Sequence, residues 1–285
     1  MILPIAVIKP VVGWEVVRGS LLRCWLLLLL GGLLFWAPEV AAESMSGFDR
    51  LLNQQLCYSM DFLWFHGIAR GSFRLTRGER DGTYRAVLEA RTQGLAAWLT
   101  ADREQRYVSV MERTPEGELR ALSHESQIVK GRGAGRRVRT KRYRFDHDRR
   151  QVFYQRGKEG VFGRQKVLSM PPGSPPNDIL TAFFNFREGV FGPLVVGGHY
   201  RIPTFSRQGT AYIEAEILAP SRRQHTEFFP PEGLLVKVML DPEVFETTGG
   251  GFYFQFDELL QPARGLVENV IGLGDVRGTL LNSSQ

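Results

Sequence analysis

The chain has 285 residues, 43% of them hydrophobic and 23% charged, with a formal net charge of +6. A chain of this length buries a substantial core. Its two cysteines, Cys24 and Cys57, offer no disulfide framework once the leader described below is removed, so stability must come from packing. The basic balance favours polyanions in general, without separating nucleic acid from phospholipid, lipopolysaccharide or acidic glycan.

The first element is a leader. Leu21 to Trp36 is almost wholly apolar, stands beside Arg18 and Arg23, and is followed by Pro38 and Val40-Ala41-Ala42-Glu43. These are the basic, apolar and small-residue parts of a secretory signal peptide, with cleavage expected after Ala42. The competing reading is an inner-membrane anchor formed by an uncleaved Leu21 to Ala37, since a span needs about 17–25 apolar residues. Met1 to Val17 is long for an n-region, which places the translation start in question. Cys24 precedes most of the apolar run and follows Arg23, unlike a lipidated cysteine. Residues 1–42 are therefore set aside as a cleaved signal, and 43–285 are expected to form one β-rich domain in the periplasm, where nucleic acid is the least available polyanion.

After the leader, Ser46 to Leu56 spaces Phe48, Leu51, Leu52 and Leu56 as one face of a helix. From Tyr58 onward the dominant signal is period two, the alternation of half-buried strands. Tyr84, Ala86, Leu88 and Ala90 share one parity, as do Ile213, Ala215 and Ile217, and Phe252, Phe254 and Phe256. Further strands are expected at Cys57 to Phe65, Ala69 to Thr76, Tyr107 to Arg113, Leu119 to Val129, Arg137 to Phe145, Gln151 to Gln155, Tyr200 to Phe205, Leu234 to Leu240 and Val276 to Leu281. Turn signals such as Asp81-Gly82, Glu116-Gly117 and Asp146 to Arg149 suit hairpins. A second helix is expected over Asn177 to Glu188, capped by Asn177 or Asp178 and ending at Gly189, after the Pro-rich Pro171 to Pro176. The pattern predicts a mainly β chain with two short helices, built as one strongly curved or barrel-like antiparallel sheet with a helix packed on its concave side.

The order of motifs carries a resemblance. Trp64-Phe65-His66-Gly67-Ile68-Ala69-Arg70-Gly71-Ser72-Phe73, Thr92-Gln93-Gly94-Leu95-Ala96, Asp102-Arg103, Phe145-Asp146 and Asn177-Asp178-Ile179-Leu180-Thr181-Ala182-Phe183-Phe184 resemble the bacterial exported family called domain of unknown function 3108. Gly265 to Leu280, with its Gly-x-Leu-like pieces, suits it too. This chain departs in Asn177-Asp178, where a Gln-Asp pair is expected, and in a basic expansion around Lys130 to Arg144. The resemblance implies an envelope location and a β-rich fold, and brings no activity with it.

The basic stretch Lys130 to Arg150 holds ten Lys and Arg against Asp146 and Asp148. Arg136, Arg137, Arg139, Lys141, Arg142 and Arg144 are the candidate anion contacts, because guanidinium pairs carboxylate and phosphate in a bidentate way. The bland reading is a solvated hairpin using charge to resist edge pairing. Gly131 to Arg136 lacks the Gly-Lys-Ser/Thr ending of a P-loop and reads as a flexible loop. Phe183, Phe184, Phe252, Phe254 and Phe256 line an apolar cavity for an acyl chain or simply fill the core.

The histidines His66, His124, His147, His199 and His225 lack zinc spacing. Asp146-His147-Asp148 reads as a turn, and no metal or cofactor is expected. There is no Gly-x-Ser-x-Gly elbow. Cys57 reads as a small core residue, and His66-Gly67 reads as a hairpin reversal, although Asp61 and His66 would suit acid–base work. No catalytic residue is assigned. The sequence points to a non-enzymatic binding or scaffold protein of the envelope that contacts anionic lipid, glycan or an envelope protein. The alternative is an envelope hydrolase or glycan-modifying enzyme with an unrecognised carboxylate site.

Overall fold

The structure, a computed structural model, describes residues 47–62, 65–170, 172–173, 175–206, 209–239, 251–270 and 274–281. The leader, the alternative anchor and Cys24 lie outside the described residues, as do Trp64 and Leu240. The alternating segments form β1 (Gln55–Phe62), β2 (Phe65–Arg77), β3 (Thr83–Thr92), β4 (Glu104–Arg113), β5 (Leu119–Lys130), β6 (Arg137–Asp146), β7 (Gln151–Lys158), β8 (Val161–Phe162) and β9 (Lys166–Ser169). They continue as β10 (His199–Ser206), β11 (Gly209–Ile217), β12 (Leu234–Met239), β13 (Phe252–Phe256), β14 (Pro262–Val270) and β15 (Gly274–Leu281). The helices are α1 (Gly47–Leu51), α2 (Gly94–Leu99) and α3 (Ile179–Arg187).

All strands join one antiparallel sheet in the order β10, β11, β12, β13, β14, β15, β1, β2, β3, β4, β5, β6, β7, β8, with β9 beside β7. Among the described residues the sheet does not close on itself: β10 is one edge, and β8 and β9 end the other side. It curves around α3. One face of that helix sends Leu180 and Phe184 into a core with Phe73 and Leu75 of β2, Tyr84 and Ala86 of β3, and Tyr107 and Met111 of β4. The other sends Ala182 and Phe186 into a core with Ile202 of β10, Ile213 of β11, Val236 of β12 and Phe254 of β13. Strands so far apart in the sheet reach one helix only if the sheet wraps it, so α3 lies on the concave side, as the sequence predicts.

Every hairpin alternates direction, so the sheet has two rims. The upper rim carries the connections after β1, β3, β5, β7, β10, β12 and β14; the lower rim carries the others. Over β12 to β14 the convex side is buried as well, where Tyr253, Leu235 and Leu266 pack with Leu218 and Phe229.

Two expectations are corrected. The helix expected over Ser46 to Leu56 stops at Leu51. Asn53 takes a left-handed φ of 63° and its N–H donates to Leu75 O at 2.7 Å, which breaks the helix and opens β1. Leu56 reaches the same core as Phe48 and Leu51, but from a strand, and helical spacing does not separate those cases. The reversal assigned to His66-Gly67 occurs earlier, between Phe62 and Phe65, which face each other across β1 and β2. Gly67, at φ 63°, instead donates its N–H to Asp61 Oδ1 at 2.7 Å. Between β5 and β6, a 3-10 turn spans Gly133–Gly135; Gly131 before it has φ 80°, and a Cβ there would stand 2.5 Å from Gly135 O, so only glycine fits.

Candidate functional site

The helix that forms the floor of the site is clamped before it is packed. Asp178 is the N-cap, accepting from Leu180 N at 2.9 Å and Thr181 N at 3.2 Å. The same carboxylate accepts from Thr181 Oγ1 at 2.6 Å and from Ser109 Oγ of β4 at 2.5 Å. The Ser109 proton is thereby used, so His124 Nδ1–H of β5 donates to Ser109 Oγ at 2.9 Å, with Asp178 Oδ1 3.4 Å away. Burial pushes the Asp178 carboxyl up; the hydrogen bond and charge of His124 and the two hydroxyls outweigh it and hold it below the usual range. A further bidentate clamp runs between Asn185 and Leu119: Leu119 N donates to Asn185 Oδ1 at 2.8 Å, and Asn185 Nδ2 donates to Leu119 O at 2.7 Å. Asn177 ties the helix entrance to the β10 edge, donating its N–H to Pro203 O at 2.9 Å. Thus α3 bridges β4 and β5 to β10.

Ser109, His124 and Asp178 are the residue types of a hydrolytic triad without its geometry. Asp178 and Ser109 meet the same ring nitrogen, whereas a triad needs them on opposite nitrogens with an accessible serine. Ser109 is fully buried. The trio is a structural clamp.

Above α3 lies a cavity of about 360 Å³, within the range of ~300–1,000 Å³ usual for small-ligand sites. Its floor is Ile179, Ala182, Phe183 and Phe186; its walls include Tyr58 and Met60 of β1, Ile68 and Phe73 of β2, Leu88 and Ala90 of β3, Gln105 and Tyr107 of β4, and Phe252 and Phe254 of β13. Gly265 and Gly278, paired across β14 and β15, form a wall without side chains. Thr92, Arg103 and Val270 line it at the level of the upper rim. Among the described residues, no Asp or Glu lines it. Tyr58, whose phenol burial pushes up, donates its hydroxyl to Pro262 O at 2.9 Å.

Of the five phenylalanines proposed for a cavity, Phe183, Phe252 and Phe254 line it. Phe184 and Phe256 do not: both are fully buried in close-packed core. Phe184 stacks on Phe73 at 5.6 Å and meets Phe48 at 5.4 Å. The helical face predicted to be apolar thus splits, because Phe183 sits between the two cores and Phe184 within one. Phe184→Ala is expected to cost about 3–5 kcal/mol in urea unfolding, and Phe183→Ala distinctly less, since its ring already faces empty space. The opposite ranking would contradict the cavity.

The basic residues also divide. Strand register gives two rows on the concave face. One runs Ala90, Gln105, Ile128, Arg139, Lys158; the next runs Leu88, Tyr107, Ser126, Lys141, Arg156. Each begins in the cavity wall and ends in cations. Arg137 shares this face beside Lys130. Arg139, Arg156, Lys158, Arg137 and Lys130 are exposed, and none is in an ion pair among the described residues. On the concave face of β5, β6 and β7 there is no carboxylate. Arg142 and Arg144 point to the convex face instead. There Arg142 pairs with Glu125 at 2.8 Å and lies over Phe162, and Arg144 lies over Phe153. Arg136 ends the turn before β6. The predicted residues are therefore divided between two faces; Arg137, Arg139 and Lys141 lie with Arg156 and Lys158, which no local sequence pattern marks.

The cations are open because the two sides of the sheet are staggered. Phe205, near the upper end of β10, packs with Phe145, Val152 and Met170 at the lower ends of β6 and β7. The upper halves of β5 to β7 consequently rise past β10 and face no strand among the described residues.

The other candidates resolve locally. His147 Nε2–H donates to Ala121 O at 2.6 Å and Asp146 caps Arg149 N at 3.0 Å; burial lowers the His147 pKa, partly offset by that carbonyl. His66 meets Asp61 at 3.2 Å but is 82% exposed. Cys57 is free, in β1. Among the described residues no group of three or more His, Cys, Asp or Glu is placed to hold a metal, and no helix is long and apolar enough to cross a membrane.

These features define an open, helix-floored antiparallel half-barrel with an apolar cavity and a cationic wall. Residues 57–222 match the family described as a protein of unknown function (DUF3108), and the chain belongs to that family. It is also similar to a solved structure described as a beta-barrel-like protein of domain of unknown function DUF1849 from Brucella abortus, at 9% identity and a TM-score of 0.45, covering 82% of this chain and 98% of that one. No curated protein matches the chain.

Proposed function

We propose that this protein binds an anionic amphiphile of the cell envelope, with the acyl chain in the cavity above α3 and the headgroup against Arg139, Lys141, Arg156 and Lys158. The observation that carries this reading is the continuity of the two cross-strand rows, which pass from apolar wall to cation without a carboxylate. Apolar burial holds the chain, at about 0.8 kcal/mol per methylene, and charge-assisted hydrogen bonds fix the head. Export is supported by the leader pattern of Arg18, Arg23, Leu21 to Trp36 and Ala42, and a periplasmic protein meets phospholipid and lipopolysaccharide rather than nucleic acid. Binding or carriage fits better than glycan hydrolysis, because hydrolysis needs two carboxylates facing the scissile bond and the described residues of the cavity wall include none.

Equilibrium dialysis with palmitate and with hexadecanol, an uncharged alcohol of the same chain length, tests the reading. Palmitate is expected to bind about tenfold or more tightly, corresponding to one net charge-assisted hydrogen bond, with the preference shrinking as salt is raised. Equal affinities would remove the headgroup assignment. Binding of neither would remove the lipid reading.

A further inference from the structure

We infer that the upper rim of the cavity is a docking surface for an anionic lipid bilayer, with Trp98 as its inserted side chain; this rests on the reading of the cavity as a site for an anionic amphiphile. Helix α2 connects β3 to β4 at that rim, next to the cavity-lining residues Ile68, Thr92 and Arg103. Its sequence, Gly-Leu-Ala-Ala-Trp-Leu, has no charge. Ala96 and Ala97 are buried, while Trp98 is 77% exposed. The platform is fixed by Gln93 N to Ile68 O at 2.6 Å, Asp102 N to Ala97 O at 2.6 Å and Gly131 N to Ala101 O at 2.5 Å.

A lone exposed indole is ordinary. Here charge adds the second observation. The adjacent β5–β6 connection brings Lys130, Arg136 and Arg137 to the same rim without ion pairs among the described residues, whereas Asp102 and Glu104 are already matched by Arg132 and Arg91. An indole prefers the bilayer interface, and unpaired Lys and Arg draw such a surface toward anionic headgroups. A protein partner is the poorer fit, since interface cores are depleted in Lys. Docked this way, the mouth of the cavity meets the bilayer, and an acyl chain enters without crossing water.

The test uses phosphatidylglycerol vesicles with brominated acyl chains, which quench inserted tryptophan, and phosphatidylcholine vesicles as the neutral arm. The expected result is a quenched fluorescence component in the wild type that Trp98→Ala lacks and the neutral arm does not produce. Trp98→Ala should also weaken vesicle binding about tenfold, from lost apolar burial, while Trp98→Phe keeps most of it. Palmitate binding from solution should be unchanged in Trp98→Ala, which also reports that the variant is folded. Equal quenching in wild type and Trp98→Ala, or no quenching of a wild type that binds palmitate, overturns the docking surface and leaves the cavity reading standing. Wild type that binds no palmitate overturns both. If Trp98→Ala instead abolishes a copurifying protein while vesicles leave Trp98 unquenched, the rim is a protein interface and the bilayer inference is wrong.

Discussion

Replacing Asp178 with Ala is expected to lower the stability of the fold by about 3–5 kcal/mol, the largest effect of any single polar substitution here. Loss of an N-cap alone costs about 1–2 kcal/mol. Ser109 and Thr181 would then hold hydroxyls in buried surroundings without their acceptor, at about 1–3 kcal/mol for each group left unsatisfied. His124 would lose the carboxylate that faces it at 3.4 Å. Because α3 is the floor of the cavity, ligand affinity should fall with stability. Urea unfolding checks the value, and a loss below about 1 kcal/mol would mean that the clamp is dispensable.

The same carboxylate gives a pH dependence of known sign. Its folded pKa lies below the ordinary value of 3.8, so near that pH the unfolded chain holds more of the proton. The stabilisation is therefore fully present above the unfolded pKa and is lost as pH falls through the folded one. Unfolding free energy should rise with pH across this acidic window in the wild type, with a smaller slope in Asp178→Asn. Identical slopes would reject the assignment.

The second large effect concerns the ligand. Arg139→Glu with Lys158→Glu is expected to weaken palmitate binding about tenfold to a hundredfold, or about 1.4–2.8 kcal/mol, with hexadecanol binding unchanged. Stability should move by no more than about 0.5 kcal/mol, because both side chains are exposed. Gly278→Leu attacks the other half of the site. A Cβ at Gly278 meets nothing closer than Gly265 O at 3.7 Å, so the backbone accepts it and the rest of the side chain enters the cavity. Both amphiphiles should then bind less tightly. If the charge variant instead impaired hexadecanol equally, the cationic wall would be structural.

Much of the fold could be read from alternation, since Tyr84, Ala86, Leu88 and Ala90 of β3 share one parity, as do Ile213, Ala215 and Ile217 of β11. Parity does not say which face is concave. In β6 it misleads, because Val138 and Thr140 are buried on one face and Phe145 on the other. Tyr143 lies on the Phe145 face, so the switch hides that Arg139 and Arg142 oppose each other. The cationic wall depends on register with β5 and β7, which no local pattern reports. β14 has no legible alternation, because Pro262 and Gly265 are residue types common in loops, yet Gly265 with Gly278 opens the cavity wall. The short strands β8 and β9 carry too few residues to alternate. The family, by contrast, was legible from ordered motifs, one of which, Asn177-Asp178, turns out to tie α3 to both sides of the sheet.

The most direct measurement is solvent extraction and mass spectrometry of the protein purified from its native cells without detergent. The account predicts an anionic acyl lipid in near-stoichiometric amount from the wild type, and its loss from Gly278→Leu. A wild type that yields no acyl lipid and takes up none when offered would contradict it.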